Sequence, residues 1–382
     1  MSDLKIASVE TIIIDLPLRR LQRFAAKEST TQSLVIIRIK TKCGLEGIGE
    51  AVTPTGPWWG GESVESIKLM IDQYIAPMVI GADPFSMSKL MCDINAIVYG
   101  NNFAKAGIEM SLLDLHGKAV NLPLHDLLGG KIRSSLPCSW PLATGDADLE
   151  IEEAEGMIGE GKHNIFKLKM GAMDPTEDVD RACAVARGLE GKASVRVDPN
   201  EKWDETIVKW AIPRMEDAGI ELVEQPMPRW NIKASARMTV RSKAAIMIDE
   251  GVCTAEDMIN IAHLHAADLV SLKIMKSAGI LPTKIIADIA VAGGISIYMG
   301  TFLESSIGTA ANMQLCASLP NFPYGGELSG PGLIADDIAQ EPVVYKDFEL
   351  QLPKGNGIAA AIDEDKLKAY RRDKEYTLHQ VV

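Results

Sequence analysis

The sequence predicts an α/β protein: a (β/α)8-type TIM barrel lying beneath an α+β capping unit. Two observations predict it. From about residue 135, short β-rich runs alternate with helical stretches: NIFKLKM, SVRVDPN, ELVEQPM, AIMIDEG, LVSLKIM and ISIYMGT. One polar residue near the end of each of the first five, Lys169, Asp198, Glu224, Asp249 and Lys273, follows the previous one after 29, 26, 25 and 24 residues. That spacing is a little shorter than the roughly 30 residues of a barrel unit, and its near-constancy favours a barrel over an open sheet. Before residue 130 the order is instead strands and then helices, the pattern of an α+β unit.

In chain order, KIASVETIIIDL (5–16) and SLVIIRIK (33–40) read as strands, and Lys42-Cys43-Gly44 as the hairpin turn into a third strand, LEGIGEA. Arg19–Thr31, polar and without periodicity, and the breaker-rich segment 53–62 around TPTGPWWGGES are predicted as mobile lid loops. From Glu62 to Val120 apolar residues recur at helical spacing, as in Ile67, Met70, Ile71, Tyr74 and Ile75, until Gly129-Gly130 ends the block. LPCSWPLAT supplies a first barrel strand and YGGEL an abbreviated last one. Helix starts are marked at Asp204-Glu205 and Thr254–Asp257. The expected division is a cap over 1–130, a barrel over 131–328, and a segment over 329–382 packing back on the cap.

At 382 residues the chain can bury a sizeable core, and 47% apolar with 24% charged residues is globular composition. With 39 Lys+Arg against 52 Asp+Glu the net charge is −13, and no segment concentrates positive charge, so nucleic acid and anionic membrane are excluded as expected partners. No apolar run reaches the ~18–20 residues of a bilayer span, and Glu10 and Asp15 interrupt the first apolar stretch; neither span nor signal peptide is expected. Cys43, Cys92, Cys138, Cys183, Cys253 and Cys316 lie far apart without metal-site spacing. They read as reduced core residues of a cytoplasmic protein.

The chemistry is carried by where charge falls within the strands. Asp198, Glu224 and Asp249 each close a buried-strand run at its C-terminal end, where barrel enzymes build their sites. Any one of them alone could be a helix cap or a surface ion pair. Three at one repeat period are expected to converge, and a divalent cation is the simplest remedy for their repulsion. All-oxygen ligation favours Mg2+ or Mn2+. Lys167 and Lys169, two apart in NIFKLKM, share one face of a strand, with Phe166 and Leu168 on the other. Each is expected to lower the pKa of the other, suiting a neutral amine base. Lys273 is expected to reach the mouth from the side opposite Lys169, whereas Lys276 reads as a snorkelling surface lysine.

Taken together, FKLKMG, VRVDPN, VEQP, IDEG, SLKIMKSAG and GGELSGP, with IIIDLPL, GIGEA, NNFAKAGIEMSLLDLHGKA and LHDLLGG ahead of them, resemble the enolase superfamily. The resemblance covers essentially the whole chain and points to the muconate lactonizing branch, with greatest similarity to muconate and chloromuconate cycloisomerases. It implies a modified (β/α)7β barrel and a homo-oligomer, an octamer in the family. It also implies metal ligands Asp198, Glu224 and Asp249, acid/base lysines Lys169 and Lys273, and Lys167 on a substrate carboxylate. Glu327 matches a position tied to catalysis, Asn200 and Gln225 match supporting positions, and Glu250 follows the third ligand as expected. Three features depart from the pattern: Gly251-Val252 after Asp249-Glu250, Ala278 where a double glycine is common, and a bulky cap loop with Pro54, Pro57, Trp58 and Trp59.

The expected reaction joins one carboxylate of a small dicarboxylate to its own conjugated double bond, giving a lactone, with Lys169 moving the proton and Trp59 shaping the pocket. The alternatives are racemisation or epimerisation of an amino-acid derivative, with both lysines as bases, and dehydration of a sugar acid. The latter wants a strand-end histidine, whereas His116, His263 and His265 fall in helical stretches. A non-catalytic barrel is the remaining class, and the complete lysine and carboxylate set argues against it.

Overall fold

The computed structural model describes residues 4–23 and 28–372. The chain opens with an antiparallel sheet of β1 (Ile6–Arg23), β2 (Glu28–Thr41) and β3 (Glu46–Val52), in that order. β1 and β2 are longer than expected, which corrects the first lid loop. Beyond a register shift after Pro17 the strands continue, with Gln22 opposite Ser29 and Arg23 opposite Glu28. Backbone pairing needs no apolar face, so a polar segment without hydrophobic alternation still forms a ladder. Of the predicted loop, residues 24–27 lie outside the described residues.

The second loop, 53–62, is packed. Thr53, Pro54, Thr55 and Trp59 are buried, and the Trp58 indole N–H donates to the Pro54 carbonyl (2.7 Å). Glu62 accepts from the Phe103 and Ala104 amides (2.9 and 3.2 Å), occupying orphan donors at the start of the helix Asn102–Val120. That helix buries fourteen of its nineteen residues, so it is a spine between two layers. Glycines in β3 permit the approach: a Cβ on Gly47 would lie 2.1 Å from the Ser111 carbonyl oxygen, and one on Gly49 2.4 Å from that of Gly107. Its buried carboxylates serve backbone donors. Asp114 accepts from the Ile48 and Ile358 amides (2.8 and 2.9 Å), and Glu109 from the amides of Ile280 and Leu281.

A short strand, β4 (Ser135–Pro137), leads into the barrel. The parallel strands are β5 (Trp140–Leu142), β6 (Ile165–Lys169), β7 (Ser194–Asp198), β8 (Leu222–Glu224), β9 (Ala245–Ile248), β10 (Leu269–Leu272) and β11 (Ser296–Met299), neighbours in sequence and in space. Gly326, in YGGEL, bridges Met299 at one edge and Cys138 at the other. The last strand is thus reduced to one residue that closes the barrel. Asp204 caps the helix Glu205–Asp217 through the Thr206 and Ile207 amides, and Thr254 with Asp257 forms a capping box on Ala255–Leu264.

The C-terminal segment touches both layers. The Ala335 amide donates to the Pro17 carbonyl (2.8 Å) and Arg372 pairs with Asp15. β12 (Tyr345–Lys346) and β13 (Glu349–Gln351) instead form a sheet with β4. None of the cysteines is in a disulfide; Cys138, Cys183 and Cys316 are buried, but Cys43 in the hairpin turn and Cys92 on a cap helix are exposed rather than core. Among the described residues no helix is long and apolar enough to cross a membrane.

Candidate active site

The ends of β6 to β10 place the predicted charges at one mouth. Lys169 ends β6, Asp198 ends β7 and Glu224 ends β8; Asp249 follows β9 and Lys273 follows β10. Lys169 and Lys273 are four strands apart in the sheet, on opposite sides of the closed barrel. The loops that follow are strained. Asn200 (φ 44°), Glu201 (66°), Gln225 (31°), Ala278 (65°) and Leu303 (64°) all take left-handed backbone conformations just past a strand end, as happens where a site over-determines its backbone. Alanine at 278 carries that strain without the freedom a glycine has. Ala278→Gly is therefore expected to stabilise the fold by about 1 kcal/mol, read as a higher urea midpoint at unchanged m-value.

Each carboxylate is drawn onto an ammonium. Lys167 donates to Glu224 Oε2 (2.6 Å) and to Glu327, with Asp198 Oδ2 at 3.6 Å. Lys169 donates to Asp198 Oδ2 (2.7 Å). Lys273 and Lys276 take the two oxygens of Asp249, Oδ2 at 2.6 Å and Oδ1 at 2.7 Å. The expectation for Lys276 is corrected: it is 2% exposed, not a surface residue. The side chain turns inward because Asp249 offers it a carboxylate oxygen and a carbonyl, and β10 the Ser271 carbonyl.

Asn200 spans Asp198 and Glu250 through its amide group (3.2 and 3.1 Å). Gln225 accepts from the Asp249 and Gly251 amides (2.9 and 3.1 Å), fixing the backbone of the next strand end.

The electrostatics follow from this pairing. Burial pulls the Lys167 ammonium down, but Glu224, Glu327 and Asp198 outweigh it and hold the pKa well above the usual lysine range. The expected mutual lowering of the two lysines fails at Lys167, because the carboxylates lie closer to it than the second ammonium's influence can offset. Burial likewise pulls the Lys273 ammonium down, but Asp249 and Glu224 override it and raise its pKa above the usual lysine range. Asp198 and Asp249 are lowered against their burial, chiefly by Lys169 and Lys167 for the first and Lys273 and Lys276 for the second. Glu224 goes the other way, to about 7, through burial and the proximity of Asp198. Glu250 rises to about 8 through burial and the charges of Asp249 and Asp198.

Among the described residues no three His, Cys, Asp or Glu side chains stand close enough to ligate one ion as they are. The expected convergence is therefore incomplete, because lysines neutralise the carboxylates one by one. The donor set still fits a hard divalent cation. Glu224 Oε1 is buried with no hydrogen-bond partner, which is acceptor capacity left over after the lysines have paired with the carboxylates.

Trp59, from the packed cap loop, lies over this cluster. Its ring stands edge-on to Phe302, centroids 4.6 Å apart. The Lys273 ammonium is 5.0 Å from the Trp59 ring centre and 4.5 Å from that of Phe302. Sequence reasoning missed Phe302 and the inward turn of Lys276. The available signals were Phe302's place three residues after a strand end and Lys276's place three after Lys273. The histidines considered earlier stay away from the mouth: His263 and His265 are exposed at a helix end, and His116 stacks on Phe85.

Comparison with known proteins agrees with this architecture. Residues 8–129 match the mandelate racemase / muconate lactonizing enzyme N-terminal domain, and residues 150–366 the enolase C-terminal domain-like family. The chloromuconate cycloisomerase of Cupriavidus pinatubonensis (strain JMP 134 / LMG 1197) is 52% identical over 94% of this chain and 97% of its own. Muconate cycloisomerase 1 of Rhodococcus opacus is 38% identical over 98% and 100%. The crystal structure of muconate lactonizing enzyme from Pseudomonas fluorescens complexed with muconolactone superimposes with a TM-score of 0.95, at 42% identity over 97% of this chain and all of that one. With two domains matched in order and full-length relatives well above 30% identity, the chain belongs to the mandelate racemase / muconate lactonizing enzyme family of the enolase superfamily.

Proposed function

We propose that the chain is a cycloisomerase that closes cis,cis-muconate, or a chlorinated or otherwise substituted muconate, to a muconolactone in aromatic compound catabolism. The observation that carries this reading is the asymmetry of the two mouth lysines. The Lys169 side chain is 18% exposed and leans on one carboxylate. Lys273 is 6% exposed, held by Asp249 and faced by two aromatic rings. One lysine stands open at the rim, and the other is a cation enclosed by two rings.

In the proposed reaction an oxygen of one substrate carboxylate bonds to the carbon beta to the other carboxylate, breaking the double bond conjugated to that other carboxylate. The displaced electron pair moves toward the other carboxylate, and the Lys169 ammonium delivers a proton to the carbon alpha to it. No atom is lost, so the conversion is an isomerisation; in reverse, neutral Lys169 takes the same proton back. Lys273 stabilises the developing negative charge from the opposite side as a fixed cation. Asp198, Glu224 and Asp249 would hold Mg2+ or Mn2+, which when bound supplies positive charge opposite the substrate carboxylate. Lys167 keeps Glu224 and Glu327 in place with two of its three protons, and the third would serve a substrate carboxylate. Asn200 orients Asp198. An octameric homo-oligomer is part of the same reading, checked by light scattering of the purified protein.

The direct test is loss of the diene ultraviolet absorbance when cis,cis-muconate and chloromuconates are incubated with the protein and Mn2+. Turnover of N-acylamino acids or dipeptides with none on any muconate would overturn it. A two-base racemase is disfavoured by the enclosure of Lys273 between Trp59 and Phe302. For Trp59, burial against Phe302 means that packing and pocket shape are joined, so truncation to alanine would cost stability as well, ~3–5 kcal/mol for a buried indole. Trp59→Phe keeps an aromatic ring there. It is expected to change the ratio of kcat/KM for unsubstituted against chlorinated muconates several-fold, with a small change in melting temperature; a uniform loss on every substrate would make Trp59 packing alone.

A further inference from the structure

The turn 273–279, between β10 and the helix Ile280–Ala292, is gripped by the cap at its middle and at the first residues of the helix that follows. Asn102 Nδ2 donates to the Lys276 carbonyl (2.7 Å), and Glu109 accepts from the amides of Ile280 and Leu281. Inside the turn Lys276 has three acceptors: Asp249 O at 2.6 Å, Asp249 Oδ1 at 2.7 Å and Ser271 O at 2.8 Å. An ammonium has three protons. All are used within the protein, and the side chain is buried, so Lys276 has nothing to offer a substrate. Lys273 differs. It makes one hydrogen bond to Asp249, at Oδ2, and its other close neighbours are the faces of Trp59 and Phe302.

The two lysines on Asp249 are therefore unequal, one tied by three bonds and one by a single bond that can exchange. We propose that Lys276 is a positioning residue: it locks Asp249 by Oδ1 and by its carbonyl, leaving Oδ2 as the oxygen that a divalent cation can take from Lys273. Its own place is set by the cap through Asn102, so docking of the cap fixes a carboxylate at the mouth. This rests on the reading of Asp249 as a metal ligand.

The experiment measures Mn2+ binding to the full-length, metal-stripped protein by the electron paramagnetic resonance signal of free Mn2+, alongside thermal melts. Lys276→Met keeps the stem and removes the charge and all three donors. It is expected to raise the Mn2+ Kd about 10- to 100-fold. Removing a positive charge alone acts in the opposite direction, so a Kd that is unchanged or lower, with or without a lowered melting temperature, overturns the proposal. Should Lys276→Met give no cooperative melt, Asn102→Ala decides: a Kd raised about fivefold, with kcat recovered at saturating Mn2+, supports positioning through the cap, and an unchanged Kd overturns it. If the wild-type protein binds no Mn2+, the metal reading falls and the positioning role with it; wild-type binding with unaltered variants sinks the positioning role alone.

Discussion

Lys169→Ala is expected to lower kcat on muconate by about 10²- to 10⁴-fold, the contribution of a positioned proton donor, with KM changed little. The reason is geometric. Lys169 stands at the rim of the mouth with Asp198 as its ion-pair partner, whereas Lys273 lies on the opposite side, enclosed by two aromatic faces, and would meet the other face of the substrate. Removing a group used only in the transition state lowers kcat and kcat/KM together. Mn2+ binding by the variant separates this from collapse of the site, since Asp198 keeps Lys167 within 3.6 Å and Asn200 on both oxygens. An intact kcat with a raised KM would make Lys169 a binding residue and return the chemistry to Lys273.

The residues behind that expectation could be read in the sequence because a barrel repeats. Lys169, Asp198, Glu224, Asp249 and Lys273 each sit where a strand run ends, and a regular period brings strand ends to one rim whatever the helices between them do. The closing strand was legible as YGGEL even though its pairing has shrunk to Gly326. What escaped is set by contacts without period. Lys276 is turned inward by a turn whose anchor, Asn102, lies 174 residues earlier, and Phe302 acquires a role only because the cap loop lays Trp59 against it. The polar pairing of Gln22 with Ser29 and Arg23 with Glu28 escaped for a different reason: it is carried by the backbone, and side-chain alternation is the signal that reveals strands from sequence. The lysine–carboxylate pairing changed the electrostatic reading most. Spacing shows that charges of both signs meet at the mouth, but which ammonium sits on which oxygen is decided by side-chain reach across strands.

Glu224→Gln tests the metal site by effects of opposite sign on binding and folding. The substitution keeps the shape and leaves Lys167 an amide oxygen to replace Glu224 Oε2. It removes a negative oxygen from the group that would hold the cation, so Mn2+ affinity is expected to fall at least about 100-fold and activity with it. Without metal the same charge is a burden. Burial and Asp198 raise the Glu224 pKa from 4.5 to about 7. A carboxyl whose folded pKa lies above its unfolded value contributes stability that is fully present below the unfolded pKa and is lost as pH rises through the folded one. In chelator, the wild-type protein should therefore lose stability relative to the variant between about pH 4.5 and pH 7, and Glu224→Gln should be the more stable of the two at pH 8 by on the order of 1 kcal/mol. Urea melts at pH 5 and pH 8 in chelator, beside Mn2+ titrations at pH 8, measure both. A variant less stable than wild type at pH 8 in chelator would mean that Lys167 needs the full charge of Glu224 for folding. Unchanged Mn2+ affinity and activity would remove Glu224 from the metal site, since a ligand oxygen cannot lose its charge without loosening the ion it holds.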